Sequence, residues 1–259
     1  MLKKLFAFFP ITMNLDKKIK EALINDYAKS DKYILILSVI LFAIVSTVSA
    51  VPYDTYLIGI VCGAPLLLIS FISYRFFRGT VVSRAVAGIV MMSYPSIMII
   101  QNMGMIEMHF GYFILAAALT VYKDLTAILT ATLTAALGHI IFTFIQLNQV
   151  QINGYDLLYF SYGCSWEITF VHIVMFAIEV ILLAYIVYST IEQFILAQSL
   201  QLESEDSMDK INQEQKESEV IINSTIDIVK EVNKGNMASR IKGKTSNESV
   251  ELLKNLLND

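Results

Sequence analysis

Six long runs of apolar residues, separated by short polar joints, occupy the middle of the chain. A helix needs roughly 20 apolar residues to cross about 30 Å of hydrocarbon with its backbone hydrogen bonds satisfied. The runs have about this length, so the pattern predicts an all-α, polytopic membrane protein with six transmembrane helices. The predicted spans are 33–51, 55–74, 83–101, 105–122, 125–146 and 168–191.

The last apolar run does not end at a helix-breaking residue, because neither proline nor glycine occurs between the sixth span and Gly235. The pattern therefore predicts one helix that continues from that span into a cytoplasmic helical connector at 192–223. Apolar residues from Leu196 onward recur intermittently with a coiled-coil period, which favours a parallel helix pair in a homodimer. A disordered polar tail is the alternative for 201–219.

Composition agrees with a membrane location. Hydrophobic residues make up 56% of the chain and charged residues 16%, and the mean hydropathy is +0.60, which is not typical of a soluble protein. Charges concentrate in residues 1–32 and after about residue 200, so we interpret 1–32 as a cytoplasmic amphipathic segment ahead of a sensor domain at 33–191. The net charge of -4 argues against a nucleic-acid partner, because binding to phosphates needs a basic face.

Basic residues in the short joints predict the orientation in the lipid bilayer. Arg75, Arg78, Arg84 and Lys123 fall on one side of the predicted membrane, together with the lysines of both flanking segments. The joints on the other side have no Lys or Arg. Because these residues are enriched in cytoplasmic loops, both termini are expected in the cytoplasm. The joint at Lys123 also predicts a tight turn in which Asp124 caps the fifth span.

The chain has three histidines, and each lies in a different predicted helix. With the orientation above, His109, His139 and His172 fall at similar depths in the outer half of the bilayer. Ionisable side chains inside a membrane are costly to bury and often mark a functional site. Three neutral imidazoles could bind one metal ion, with Zn, Cu and Fe as candidates and with Glu107 or water as a fourth ligand.

Other interpretations of the histidines remain open. Two of them could be axial ligands of a haem b. The three could instead form a hydrogen-bonded cluster that joins helices, with His172 bonded to Glu107 or Glu167, or a polar pocket that binds a small ligand or senses protons. Glu179 lies seven residues after His172 on the same helix face. We expect Glu179 and Glu167 to support the ligands from behind or to relay protons, although burial as a neutral acid is as plausible for Glu179.

The end of the chain contains two short predicted helices joined by a connector that begins at Gly235. The sequence T-S-N-E fits a capping box for the second of these helices, and leucines including Leu253 and Leu257 form its apolar side. Segment 224–259 therefore resembles the HAMP-type linker of bacterial chemoreceptors. The resemblance implies a parallel four-helix bundle in a homodimer, with Gly235, Leu253 and Leu257 relaying a helix movement.

The membrane half carries motifs similar to those of a polytopic input domain found in some methyl-accepting chemotaxis proteins. The motif residues are Gly79 and Arg84, Gly104, Glu107, His109 and Phe110, Tyr122 and Asp124, His139 and Phe142, and Val171, His172 and Glu179. Most of residues 27–259 thus resembles a bacterial chemoreceptor. Two positions depart from the pattern: Leu125 stands where an aromatic residue is expected, and Gly138 where a second histidine is expected.

This resemblance implies a function and a location. It implies a non-enzymatic sensor of the bacterial inner membrane that works as a homodimer and detects a signal at the outer histidines. The signal would pass through the HAMP-like linker to chemotaxis adaptor and kinase proteins, by way of a signalling coiled coil expected beyond Asp259. The rival interpretations are a membrane-embedded metal or haem enzyme or transporter, and the same input domain joined to a histidine kinase or cyclase.

Overall fold

The computed structural model describes residues 8–152, 155–234, 251–252 and 254–255. Its α-helices are α1 (Lys17–Ser46), α2 (Tyr56–Phe76), α3 (Val81–Gln101), α4 (Phe110–Ala118), α5 (Leu125–Leu147) and α6 (Trp166–Asn233), with 3-10 turns at Pro10–Thr12, Val48–Tyr53, Ile106–His109 and Leu119–Tyr122. A short antiparallel hairpin pairs β1 (Gln151–Ile152) with β2 (Tyr155–Asp156). The predicted helical fold class is therefore confirmed.

Within the residues that the structure describes, five helical segments are long and apolar enough to cross a membrane. They are Lys17–Tyr53, which joins α1 to the following turn, and the helices α2, α3, α5 and α6. The fourth predicted span, 105–122, is a shorter apolar segment in which α4 is flanked by two 3-10 turns. The structure thus has several helices suited to a membrane, and the count of six spans stays a prediction.

The first helix begins at Lys17, well before the predicted start of the first span at residue 33. Asp16 caps its N-terminus by accepting a hydrogen bond of 2.7 Å from the backbone of Lys18. Leu23 and Tyr27 are completely buried, because the helix face that contacts the bundle extends back into this segment. The boundary predicted at residue 32 therefore lies inside one continuous helix.

Helix α3 is the centre of the bundle. It packs against α1, α2, α4 and α5, and 61% of its most apolar stretch is buried. Gly88 allows α3 to approach α5 closely, since a Cβ at this position would lie 2.4 Å from the carbonyl oxygen of Ala127. By contrast, 17% of the most apolar stretch of α6 is buried. Helix α6 is thus held to the bundle through fewer side chains than α3.

Helix α6 is one uninterrupted helix of 68 residues. A single bilayer crossing takes roughly 20 residues, so the helix is about three times the length that one span needs. The helix therefore includes residues 192–223, and the division into a membrane span and a cytoplasmic connector stays a prediction. The chain divides into two compact units, Met1–Ile195 and Leu196–Asp259, and the division falls within this helix.

The second unit contains the predicted apolar stripe and the predicted linker. Within the part of it that the structure describes, Leu196, Leu200 and Ile211 are exposed. The three predicted relay residues, Gly235, Leu253 and Leu257, lie outside the described residues.

Candidate functional site

The structure brings the three histidines together. His109 ends the turn before α4, His139 lies in α5, and His172 lies near the start of α6. Their ring centroids are 5.7 Å apart for His109 and His139, 5.2 Å for His109 and His172, and 5.6 Å for His139 and His172. The imidazoles therefore form a nearly equilateral triangle, which we term the histidine cluster.

Backbone hydrogen bonds define which ring nitrogen of each histidine carries the proton. The Nδ1 atom of each ring faces the carbonyl oxygen four residues earlier, at 3.4 Å for His109, 2.8 Å for His139 and 2.8 Å for His172. A carbonyl oxygen only accepts hydrogen bonds, so Nδ1 must be the donor. In the neutral ring Nε2 then keeps its lone pair, which makes it a hydrogen-bond acceptor or a metal ligand.

The Nε2 atoms have few donors around them. Nε2 of His172 lies 3.3 Å from the hydroxyl of Tyr162, and burial raises the pKa of that phenol, so the hydroxyl stays protonated and can donate. Nε2 of His109 is buried and has no hydrogen-bond partner among the described residues. In the same part of the chain, the one hydrogen bond of the His139 ring is that of Nδ1. Among the described residues, the three Nε2 atoms thus have a single hydrogen-bond donor, the Tyr162 hydroxyl, and it contacts His172 alone.

Aromatic side chains of the α5–α6 loop surround the cluster. Tyr159 lies edge-on to His109 and His139 with centroid distances of 5.4 Å and 5.3 Å, and Phe160 stacks on His109 at 5.6 Å. The side chain of Gln146 in α5 holds this loop in place, because its Oε1 accepts hydrogen bonds of 2.8 Å and 3.0 Å from the backbone nitrogens of Tyr159 and Phe160. The cluster therefore lies in apolar surroundings.

A short chain of hydroxyl groups borders the cluster. The hydroxyl of Tyr112 lies 2.6 Å from Ser96 Oγ of α3 and 2.5 Å from the hydroxyl of Tyr159. Burial raises the pKa of Tyr159 well above its usual value, so these groups remain protonated. A Cβ at Gly138 would lie 3.7 Å from both Ser96 Oγ and the Tyr112 hydroxyl, so this glycine faces the hydroxyl chain with room for a small side chain.

The predicted carboxylate partners are not hydrogen-bonded to the histidines. Glu107 and Glu167 are exposed, and neither forms a hydrogen bond or ion pair with a histidine in the described ranges. Glu179 is half-buried on α6, and its Oε2 has no hydrogen-bond partner there. Across the residues that the structure describes, no group of three or more His, Cys, Asp or Glu side chains is arranged to hold a metal ion. The histidines are therefore close together without forming a complete metal centre.

The cluster does not fit a haem. A haem held by two of the histidines would have to lie between rings whose centroids are 5.2 to 5.7 Å apart. The third imidazole and the rings of Tyr159 and Phe160 already occupy that region, each within 6.2 Å of His139. The haem interpretation is therefore set aside.

Sequence reasoning missed a second buried polar group, which the structure places around α3 and the adjoining turns. We term it the arginine cluster; its members are Tyr27, Asp31, Arg84, Tyr122 and Asp124. Two of the motifs noted in the sequence, G-x-x-x-x-R and Y-x-D, contribute to it. Asp31 and Tyr27 had no motif to mark them, because they belong to a charge-rich stretch that was expected to be exposed.

Asp31 connects four segments of the bundle through its carboxylate. One oxygen accepts a hydrogen bond of 2.7 Å from the Tyr122 hydroxyl, and the other accepts hydrogen bonds of 2.6 Å from the backbone nitrogen of Gly79 and 3.1 Å from Ser83 Oγ. These donors come from the turn after α4, the α2–α3 turn and α3. Both oxygens of this buried carboxylate therefore have hydrogen-bond donors.

Arg84 supplies the positive charge of the arginine cluster. It is 2% exposed, its Nε lies 3.4 Å from Asp124 Oδ1, and its guanidinium stacks 4.1 Å from the centre of the Tyr27 ring. Asp124 also caps α5, as predicted, by accepting a hydrogen bond of 2.8 Å from the backbone of Thr126. Charge attraction and ring stacking hold the guanidinium, since its Nε and Nη1 have no hydrogen-bond partner in the described segments.

The chain matches no protein-family model, no curated protein and no solved structure at a significant level. The resemblance to chemoreceptors therefore stays a prediction from the sequence motifs. What the protein does has to be argued from the geometry of the two clusters and of α6.

Proposed function

We propose that this chain is the sensory input module of a membrane signalling protein, in which the histidine cluster binds a transition-metal ion and α6 transmits the change. The observation that carries the proposal is the orientation of the three imidazoles. Each ring is fixed by its Nδ1 hydrogen bond and retains an Nε2 lone pair in apolar surroundings. Lone pairs with few donors favour a Lewis acid, and neutral imidazole is a preferred ligand of Zn, Cu and Fe.

The ring separations support a three-histidine site. Three Nε2 ligands at about 2.0 Å from one ion have ring centroids roughly 5 Å apart. The observed separations of 5.2 to 5.7 Å exceed this by a few tenths of an ångström. Binding would therefore require the rings to turn and the three helices to move slightly together.

The incomplete arrangement of the ligands fits a sensor better than a storage site. A ligand shifts a conformational equilibrium only if it binds one state better than another. A rigid, complete site would bind its ion without moving a helix. A site that is completed by small movements of the three segments links ion binding to the position of α6, which carries His172 and is the least buried of the long helices.

Helix α6 also contacts other segments near the opposite end of the bundle, and a movement of α6 would change these contacts. The Phe8 ring lies 5.6 Å from Tyr188, and the Lys123 ammonium lies 5.6 Å from the centre of the Phe194 ring. Lys123 in turn pairs with Asp26 of α1 at 2.7 Å. These contacts involve the same helix that carries His172. A shift of α6 would therefore change its contacts at both ends of the bundle.

The remainder of the proposal follows the chemoreceptor resemblance. The module is placed in the bacterial inner membrane with both termini in the cytoplasm, and it forms a homodimer through the exposed apolar stripe that begins at Leu196. The HAMP-like segment 224–259 relays the movement of α6 to a signalling domain that recruits chemotaxis adaptor and kinase proteins. The helical continuity from His172 to Asn233 supports such a relay.

Metal binding is tested with purified protein in detergent. We expect one equivalent of Zn²⁺ or Co²⁺ to bind per chain and to be lost in each of H109A, H139A and H172A, measured by elemental analysis and by the visible absorption of bound Co²⁺. Glu192→Gln is the matched control, and it should bind like the unmodified chain because Glu192 is exposed and lies 20 residues after His172 on α6. Equal binding by H172A, or no saturable binding by any variant, would contradict the proposal.

Coupling to α6 is tested with a natural probe. Trp166, the one tryptophan of the chain, begins α6 and is half exposed. We expect Zn²⁺, which does not itself quench fluorescence, to shift the emission of Trp166, and we expect His139→Ala on α5 to abolish the shift. Metal binding without any change at Trp166 would leave a metal site but would overturn the sensor mechanism.

A further inference from the structure

We propose that a groove between α1 and the α2–α3 turn binds the headgroup of an anionic phospholipid. The groove has a volume of about 520 Å³ and is lined by Ile24, Asn25, Ala28, Lys29 and Arg78. Its lining combines two cations with the apolar side chains of Ile24 and Ala28 and the amide of Asn25. The proposal needs only that the chain lies in a bilayer, and it does not depend on the histidine cluster.

Arg78 is oriented over the groove by contacts that leave its guanidinium free to bind. Its Nε donates a hydrogen bond of 3.0 Å to the carbonyl oxygen of Ala28, and the guanidinium stacks 5.2 Å from the centre of the Tyr74 ring. The terminal N–H groups of such an arginine can bind phosphate oxygens in pairs.

Lys29 provides the second cation. Lys29 and Arg78 are both exposed, and neither forms an ion pair with an acidic side chain within the part of the chain that the structure describes. The nearby carboxylates of α1 have other partners, since Asp26 pairs with Lys123 and Asp31 accepts hydrogen bonds from Tyr122. The groove therefore has an excess of positive charge that an anionic group would neutralise.

The position along α1 identifies a lipid as the source of that anionic group. The apolar run of α1 begins at Tyr33, one turn after Lys29. A cation at the edge of such a run lies at the level of the phospholipid phosphates. Ile24, with 43% of its surface exposed, offers the groove an apolar contact that free inorganic phosphate would not need.

The turn behind the groove keeps the two walls close. Gly79 has a φ of +78°, and a Cβ there would lie 3.2 Å from the carbonyl oxygen of Ile24 and 3.3 Å from Ile24 Cγ2. The α2–α3 turn thus packs directly on the α1 segment that carries Lys29. The distance between the two cations is therefore set by the fold.

The test reconstitutes the full chain in nanodiscs with equal fractions of phosphatidylglycerol and phosphatidylcholine, and counts retained lipids by native mass spectrometry. We expect phosphatidylglycerol to be enriched, and the double variant K29Q/R78Q to reduce the enrichment roughly thirtyfold. The variant K17Q/K18Q removes the same charge from exposed positions of the same helix, and it should keep the enrichment.

Three outcomes would overturn the proposal. Equal loss in both double variants would show general charge attraction without a site. Displacement of phosphatidylglycerol by excess inorganic phosphate would show a site for free anions. Equal retention of the two lipids by the unmodified chain would show no preference at all. Because none of these readings involves a metal, they separate failure of the lipid site from failure of the proposed sensor.

Discussion

The histidine cluster and the arginine cluster satisfy their polar groups in opposite ways. In the arginine cluster, buried charges of both signs lie in contact, and Asp31 accepts three hydrogen bonds. In the histidine cluster, three imidazole rings present Nε2 acceptors, and the residues that the structure describes supply one hydrogen-bond donor to them. Along α5 the clusters are about four helical turns apart, from Asp124 to His139.

The difference leads to separate predictions for the two clusters, one concerning stability and the other concerning the proposed ligand binding. Removing one partner of a buried ion pair leaves an uncompensated charge and is strongly destabilising. A buried neutral acceptor without a donor costs stability instead of adding to it, and such local violations are expected at functional sites. We therefore expect substitutions in the arginine cluster to change stability, and substitutions in the histidine cluster to change binding.

The largest expected effect is that of Arg84→Ala. Because Asp124 would remain buried without its cation, we expect a loss of about 3 to 5 kcal/mol, seen as a lower Tm in detergent. Arg75→Ala is the control, since Arg75 is exposed and its loss should change stability by less than about 0.5 kcal/mol. An equal Tm for the two variants would show that the arginine cluster is not what holds the turns together.

The contact between α3 and α5, which connects the two clusters, gives the next largest effect. A Cβ at Gly88 would lie 2.1 Å from Thr130 Oγ1 and 2.4 Å from a backbone oxygen, so Gly88→Ala must push the helices apart. We expect a cost of about 1 to 3 kcal/mol in thermal unfolding. Gly138→Ala on α5 meets ordinary contacts of 3.7 Å and should be tolerated, so a similar Tm for both would contradict this packing.

How much of each cluster the sequence predicted depends on whether its residues lie in a regular pattern, such as an apolar run, or are brought together by loop and tertiary contacts. The ends of α2, α3 and α5 and the proximity of His109, His139 and His172 were predicted from apolar run lengths, because a helix has a fixed rise per residue and a bilayer crossing requires a set length. The sequence did not predict that Tyr159 and Phe160 surround the histidine cluster, since both lie in a loop whose path depends on hydrogen bonds to Gln146. Nothing along the chain indicates that contact.

For the arginine cluster, the sequence marked some of the members but not the contacts between them. Arg84 and Asp124 belonged to recognisable motifs, but Asp31 was hidden in a segment with several lysines, where a carboxylate is usually exposed. Its burial results from donors that are 48 and 91 residues away in sequence, at Gly79 and Tyr122. Only the packing of α1 on α3 brings them together.

A smaller effect is expected for Tyr112→Phe, which tests the boundary of the histidine cluster. The change removes the hydroxyl that links Ser96 to Tyr159, leaves two buried hydroxyls with fewer partners, and should cost about 1 to 2 kcal/mol. Metal binding should persist, because the tyrosine supports the site and supplies no ligand. Tyr185→Phe, at a position 71% exposed, should leave the Tm unchanged, and a loss of metal binding in Y112F would assign Tyr112 to the site itself.

The smallest change in stability is expected for His109→Phe, although this variant should lose metal binding completely. A phenyl ring is one ring atom larger than imidazole, it can stack on Phe160 as His109 does, and it removes a buried nitrogen that has no partner in the described residues. Only the Nδ1 bond of 3.4 Å to a carbonyl oxygen is lost, so the Tm should change by the equivalent of about 1 kcal/mol or less. A drop as large as that of R84A would mean that the histidines join the helices structurally, and the two clusters would then differ in chemistry but not in role.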